Sequence, residues 1–261
     1  MNQGICILSN IPCRAQASHK SEMVTELLFG ETYIILEENE NWLLIKNSFD
    51  GYESWIDKNQ HTPISPVEFE RIHASSTFFT YRTISKVENT RTGIVYPIVK
   101  GSSVPDLKAD NTFSIGEDEF LLEFEEVDNR EKNAPREMIS EFALTYLNSP
   151  YLWGGRSPFG IDCSGFAQVV YKYAGIPILR DANQQAEHGQ TINFVEECLP
   201  GDLAFFDNDE GKIVHVGIVL HENYIIHASG KVKMGKLDQQ GIFDLKENRY
   251  THKLRIIKRY I

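Results

Sequence analysis

Near residue 131 the spacing of apolar residues changes, and this change requires more than one kind of fold in the chain. Before it, apolar residues come in short β-branched and aromatic runs: Thr32-Tyr33-Ile34-Ile35-Leu36, Trp42-Leu43-Leu44-Ile45 and Tyr52-Glu53-Ser54-Trp55-Ile56. Turn formers separate them, Glu38-Asn39-Glu40-Asn41 in the first gap and Asp50-Gly51 in the second. Such runs predict strands with tight connections, and a small closed barrel over residues 1–62. A linker punctuated by Pro63 and Pro66 follows. The strand-like runs Phe78–Tyr81, Gly93–Tyr96 and Phe120–Phe124 then predict a second small barrel over 63–130. After the change, Ile139, Phe142, Ala143 and Tyr146 recur at helical spacing behind Pro135. Phe166, Val169, Val170 and Tyr173 do the same, and Gly175 and Pro177 close that helix. Strands return at Asp202–Phe206, Ile213–Leu220 and Tyr224–Ala228, so residues 131–261 predict an α+β unit.

Composition narrows the function classes. The chain has 261 residues, 41% hydrophobic and 24% charged, enough for two or three globular domains. Its 26 basic against 37 acidic residues give a formal net charge of −11, which argues against nucleic-acid and anionic-membrane partners. No apolar run approaches the ~20 residues that span a bilayer. The opening Met-Asn-Gln-Gly-Ile-Cys-Ile-Leu has neither the basic region nor the apolar length of a secretion signal, so a cytoplasmic location is expected. Cys6, Cys13, Cys163 and Cys198 form no Cys-x-x-Cys pair and are expected as reduced thiols. Seven acids between Glu117 and Asp128 read as a solvated face rather than a cation site.

Chemistry concentrates at Cys163, in Gly160-Ile161-Asp162-Cys163-Ser164-Gly165-Phe166. With Asp162 as N-cap, the cysteine stands in the first turn of a helix, where free N–H groups and the helix dipole favour a thiolate. A cysteine nucleophile needs a base, and His215 is the best placed of eight histidines. In Ile213-Val214-His215-Val216-Gly217-Ile218, alternation turns Val214, Val216 and Ile218 to one face and His215 and Gly217 to the other. His227 follows on the next run, where a neighbouring antiparallel strand can set it beside His215 as the orienting group. The remaining histidines, including His188, His221 and His252, are expected at the surface.

Two sets of motifs carry a family resemblance. Ile11-Pro12-Cys13-Arg14-Ala15, Ser21–Glu31, Trp42 and Gly51-Tyr52-x-x-Trp55-Ile56 resemble a bacterial Src-homology-3-like domain, although Ser54 stands where a Gly is usual. Pro150-Tyr151-Leu152-Trp153-Gly154-Gly155, Asp162–Phe166, Pro200-Gly201-Asp202-Leu203, His215-Val216-Gly217-Ile218 and His227-Ala228 resemble the NlpC-type, papain-like cysteine peptidases of bacterial cell-wall peptides. The resemblance implies Cys163 as nucleophile, His215 as base, His227 as orienting residue and the Tyr151 hydroxyl as an oxyanion donor. With the barrel in front, it further implies a γ-D-glutamyl-diamino-acid endopeptidase acting on murein tri- or tetrapeptides with a free N-terminal L-Ala. Asp162 and Ser164 are the family's candidates for binding that ammonium, and Asp162 is equally an N-cap. Tyr52 and Glu22 are candidates from the barrel, with Glu26 an alternative to Glu22. Ala182 replaces a Ser of relatives, which puts one substrate hydrogen bond in doubt. No cofactor or metal is implied, and a monomer is expected. The competing readings are a wall-cleaving endopeptidase or amidase acting on intact peptidoglycan, an acyltransferase of related fold, an idle peptide-binding protein, and a metal site built from Cys163, His215 and His227.

Overall fold

The computed structural model describes residues 2–123 and 136–261. The turn-separated runs become β1 (Gln3–Ile5), β2 (Asn10–Arg14), β3 (Met23–Leu28), β4 (Thr32–Glu38), β5 (Trp42–Asn47), β6 (Glu53–Asp57) and β7 (Thr62–Ile64). They form one antiparallel sheet of order β3-β2-β6-β5-β4-β1-β7. Ile11, Cys13, Leu27, Tyr33, Leu43 and Ile56 are buried together against it.

The Pro-punctuated segment departs from the expected linker, because Pro66 begins α1 (Pro66–Ala74). Ser65 caps it by accepting the Glu68 N–H at 3.1 Å, and proline at the first position gives up an N–H that has no helical partner anyway. β8 (Thr77–Phe79), β9 (Ile84–Asn89), β10 (Val95–Val99), β11 (Ser103–Pro105), β12 (Thr112–Ile115) and β13 (Asp118–Leu122) follow. They pair as a four-stranded sheet, β10-β9-β13-β12, and a two-stranded ribbon of β8 with β11. Phe124, Glu125, Glu126, Asp128 and Pro135 lie outside the described residues. The described acids of that stretch include Asp118 paired with Arg91, Glu119 with Lys108 and Glu123 with Lys86.

The expected division at 62/63 runs through a shared core. Both halves belong to one compact unit that extends to Asn129. Ile5 and Phe29 of the first sheet pack with Ile72, Val87, Ile98, Phe113 and Phe120 of the second half. Gly30 shows how closely the halves approach. Its φ is +81°, a Cβ there would stand 1.8 Å from the Ser103 carbonyl oxygen, and the Ser103 N–H donates to the Phe29 carbonyl at 2.8 Å.

The second compact unit runs from Arg130 to Ile261. Its elements are α2 (Arg136–Leu144), β14 (Arg156–Ser157), β15 (Gly160–Ile161), α3 (Cys163–Tyr173) and α4 (Ala182–Gln185), then β16 (Gln190–Ile192), β17 (Leu203–Asp207), β18 (Ile213–Val219), β19 (Tyr224–Ser229), β20 (Lys231–Asp238), β21 (Gly241–Asp244) and β22 (Arg249–Arg259). Every residue of α3 is buried, so it is a central helix rather than a one-sided one. Phe142 of α2 stacks on Tyr173 of α3 with centroids 3.6 Å apart, and Gly175 (φ +76°) ends the helix in the left-handed conformation. The strand order is β16-β22-β17-β18-β19-β20-β21, and β21 also pairs with β22, so β17 through β22 close on themselves. Fully buried Asp202 ties this sheet to α2, accepting from Arg136 at 3.2 Å and from Arg259 at 2.7 and 3.0 Å. Among the described residues no helix is long and apolar enough to cross a membrane.

Candidate active site

Asp162 sets the start of α3 and therefore the place of Cys163. Its Oδ1 accepts the Gly165 N–H at 2.7 Å, the cap that the sequence predicts, and its Oδ2 accepts the Gly154 N–H at 2.9 Å. Arg180, only 1% exposed, closes the arrangement with bonds of 3.1 and 2.6 Å to the two oxygens and one of 2.9 Å to Ser164 Oγ. Ser164 Oγ itself donates to Asp162 at 3.3 Å. The oxygens of Asp162 are thus occupied within the protein, as is the Ser164 hydroxyl. Within the protein the pair fixes the start of the helix that carries Cys163. Arg180 was visible in the sequence only as part of Arg180-Asp181-Ala182-x-x-Gln185, without this role. Gln185 of the same motif donates to the Ser164 carbonyl at 3.1 Å.

Cys163 is 6% exposed, and its thiol differs from the sequence expectation. Burial pushes it up to about 12, and the charge of Asp162 acts in the same direction. The N–H groups of Val216 and Ser164 and the Arg180 cation pull the other way, but they do not offset the lost solvation. The Val216 N–H reaches the sulfur from β18, the strand that carries His215.

His215 and His227 are brought together as expected, 6% and 1% exposed, with His215 Nε2 and His227 Nδ1 2.8 Å apart. Gly217 makes this approach possible. A Cβ there would meet Ile225 at 2.7 Å and His227 Cβ at 3.1 Å. Burial, then the neighbouring His227, His252 and Lys233, hold His215 well below the ordinary histidine range. His227 falls to about 3, chiefly by burial. At neutral pH the resting site therefore holds a neutral thiol on α3 and neutral imidazoles on β18 and β19.

His252 corrects the expectation of a surface histidine. It lies on β22, half-buried, with its ring stacked on His215 at 4.2 Å and 23° and edge-on to His227 at 5.2 Å. Closure of the sheet through β22 puts it there, and the polar sequence Tyr250-Thr251-His252-Lys253 gives no sign of it. Donor nitrogens of the three histidines lie within 4.8 Å of one another. Two of these nitrogens, His215 Nε2 and His227 Nδ1, already engage each other in a hydrogen bond. Lys233, directly opposite His227 in the strand register, pairs with Asp244 at 2.7 Å and brings a cation to the edge of this cluster.

Tyr151 is half-buried, and its hydroxyl keeps its proton, raised to about 12 by burial and next by the charge of Cys163. Its phenol lies within electrostatic reach of Cys163, Asp162 and Arg180. Tyr52 and Glu22 belong to the N-terminal unit, the first half-buried and the second exposed. Glu26 is buried and accepts from Asn10. His188 and His221 are exposed, as expected.

Residues 148–253 match the NlpC/P60 family, and residues 13–60 match the bacterial dipeptidyl-peptidase Sh3 domain. The chain is 29% identical over 247 residues to a γ-D-glutamyl-L-lysine dipeptidyl-peptidase of Bacillus subtilis, covering 90% of this chain and 80% of that protein. It is 28% identical over 269 residues to dipeptidyl-peptidase 6 of Lysinibacillus sphaericus, covering 90% and 91%. The crystal structure of an NlpC/P60 family protein from Bacillus cereus shares the fold, with a TM-score of 0.83 at 19% identity over 99% of both chains.

Proposed function

From a chain whose C-terminal unit belongs to the NlpC/P60 family of cysteine peptidases, we propose a dipeptidyl-peptidase of murein peptides. It hydrolyses the γ-D-glutamyl bond to the diamino acid and releases L-Ala-γ-D-Glu from stems with a free N-terminal L-Ala. The carrying observation is the hydrogen-bonded His215–His227 pair, His215 lying on the strand whose Val216 N–H reaches the buried thiol of Cys163. Similarity to dipeptidyl-peptidases along 90% of the chain adds the substrate class.

The chemistry follows from the resting protonation states. As Sγ attacks the γ-carbonyl, its proton passes to His215 Nδ1, and the developing imidazolium is stabilised through Nε2–H to His227. The Tyr151 hydroxyl is the proposed donor to the oxyanion. Collapse breaks the C–N bond, His215 returns the proton to the departing amine, and water then hydrolyses the thioester with His215 again as base. Asp162 and Ser164, flanking Cys163, are the proposed partners for the substrate ammonium. A cytoplasmic role in trimming recovered wall peptides belongs to the same proposal.

The test is mass spectrometry of the protein with L-Ala-γ-D-Glu-diaminopimelate, its L-Lys counterpart and their N-acetylated forms. Leaving a buried charge unpaired costs ~3–5 kcal/mol, so acetylation should lower kcat/KM by roughly 10²–10³ or more. Equal cleavage of free and acetylated peptides would overturn the terminal specificity and favour an endopeptidase of intact peptidoglycan.

A further inference from the structure

We propose that His252 is a positioning residue for the catalytic base, holding the plane of His215 and offering its imidazolium an uncharged aromatic face. The inference rests on the cysteine-peptidase reading but not on the identity of the substrate. Three observations carry it. The two rings stack at 4.2 Å and 23°, close enough that His215 cannot swing without displacing His252. His252 is itself fixed: its Nδ1 bonds Thr251 Oγ1 at 2.8 Å and its ring meets Phe206 edge-on at 5.9 Å. Its backbone is part of the β21–β22 pairing, opposite Ile242. At the edge of the base, His227 Nδ1 stands 2.8 Å from His215 Nε2. His215 is therefore constrained in two perpendicular ways, by an in-plane hydrogen bond and by a face-on ring.

The stack also bears on the transition state. When Sγ–H gives up its proton, His215 becomes a cation in a buried site, and a neutral ring lying flat against it provides cation–π attraction. The charged groups around His252 leave it neutral at working pH. Burial and the Lys233 cation bring its own titration down to about 4, while Asp244 is taken by Lys233.

The experiment compares the full-length protein with His252→Ala and His252→Phe. The first readout is alkylation of Cys163 by iodoacetamide at pH 7, followed peptide by peptide so that Cys198 does not contribute. The second is kcat and KM on L-Ala-γ-D-Glu-L-Lys. Loss of the stacked face should slow alkylation several-fold and lower kcat about ten-fold with KM unchanged, a change of ~1.4 kcal/mol in the barrier. Phe keeps the flat, uncharged face and should restore both to within about three-fold of the native protein. Thermal unfolding establishes that each variant is folded. A folded Ala variant with native alkylation and kcat would overturn the proposal, and so would a Phe variant no better than Ala. If the native protein leaves the peptide uncut, the substrate reading fails while the alkylation series still decides the role of His252.

Discussion

Replacing Arg180 by Met tests whether a buried ion pair, and not the packing of the cysteine itself, holds the nucleophile in place. Arg180 is 1% exposed and hydrogen-bonds to both oxygens of Asp162 and to Ser164. Methionine fills much of the same volume but leaves the Asp162 carboxylate with only the N–H groups of Gly154 and Gly165 and the Ser164 hydroxyl. Breaking a buried pair from one side costs ~3–5 kcal/mol. At about 3–4 °C per kcal/mol for a unit of this size, the transition of the C-terminal unit should fall by roughly 10–20 °C. The partner substitution Asp162→Asn keeps the cap acceptor but takes the carboxylate charge from the arginine, at a similar cost. The double variant removes both charges and should recover much of the sum, since paired buried charges are often replaceable by neutral groups with little net loss. Calorimetry of the four proteins completes the cycle. The thiol reports on the same pair. Arg180 favours the Cys163 thiolate and Asp162 opposes it, so alkylation should slow in Arg180→Met and quicken in Asp162→Asn. An Arg180→Met protein within ~1 kcal/mol of native stability, or a double variant equal to the sum of its parts, would refute the reasoning.

Three further outcomes are expected. Cys163→Ala should abolish hydrolysis and leave unfolding nearly unchanged, because one small side chain at a helix start adds little packing; hydrolysis by the folded variant would exclude the covalent route. The histidine cluster should make the protein acid-sensitive. His227 and His252 titrate near 3 and 4 when folded but near 6.5 when unfolded, so the stability they confer is complete above pH 6.5 and is lost as pH falls toward 4. The slope approaches ~1.4 kcal/mol per pH unit for each, and a thermal midpoint that stays flat from pH 7 to 4.5 would contradict the buried neutral state. Gly30→Ala should destabilise the N-terminal unit by more than ~3 kcal/mol, because the added carbon meets backbone at Ser103 that cannot yield; circular dichroism melts of the variant measure this directly.

What the sequence made legible was local. Asp162 followed by Cys163 and an apolar period specifies a capped helix with the thiol in its first turn, and the alternation around His215 specifies its face. Nothing local reports Arg180 or His252. The first is a cation that finds its partner 18 residues away, and the second lies on a strand, Arg249–Arg259, whose apolar residues do not alternate cleanly. Only closure of the sheet through β22 brings His252 to the base. The thiol misled for a different reason. The helix start does favour the thiolate, but burial of the sulfur beside a carboxylate is a tertiary fact and outweighs it. Pro66 shows the same ambiguity on a smaller scale, since a proline after Ser reads equally as a break or as the first residue of a helix.

The core that runs through the N-terminal unit bears on how such chains can be recombined. Ile5 and Phe29 complete a cluster whose other members come from beyond residue 62. A fragment cut there carries away two aromatic and aliphatic anchors and leaves their partners facing solvent. The segment matched as an Sh3 domain, residues 13–60, keeps Phe29 but lacks Ile5, so it should not be transferable by itself. A chimera that grafts it alone onto another catalytic unit should be insoluble, whereas one that exchanges the whole N-terminal unit preserves every contact of that cluster.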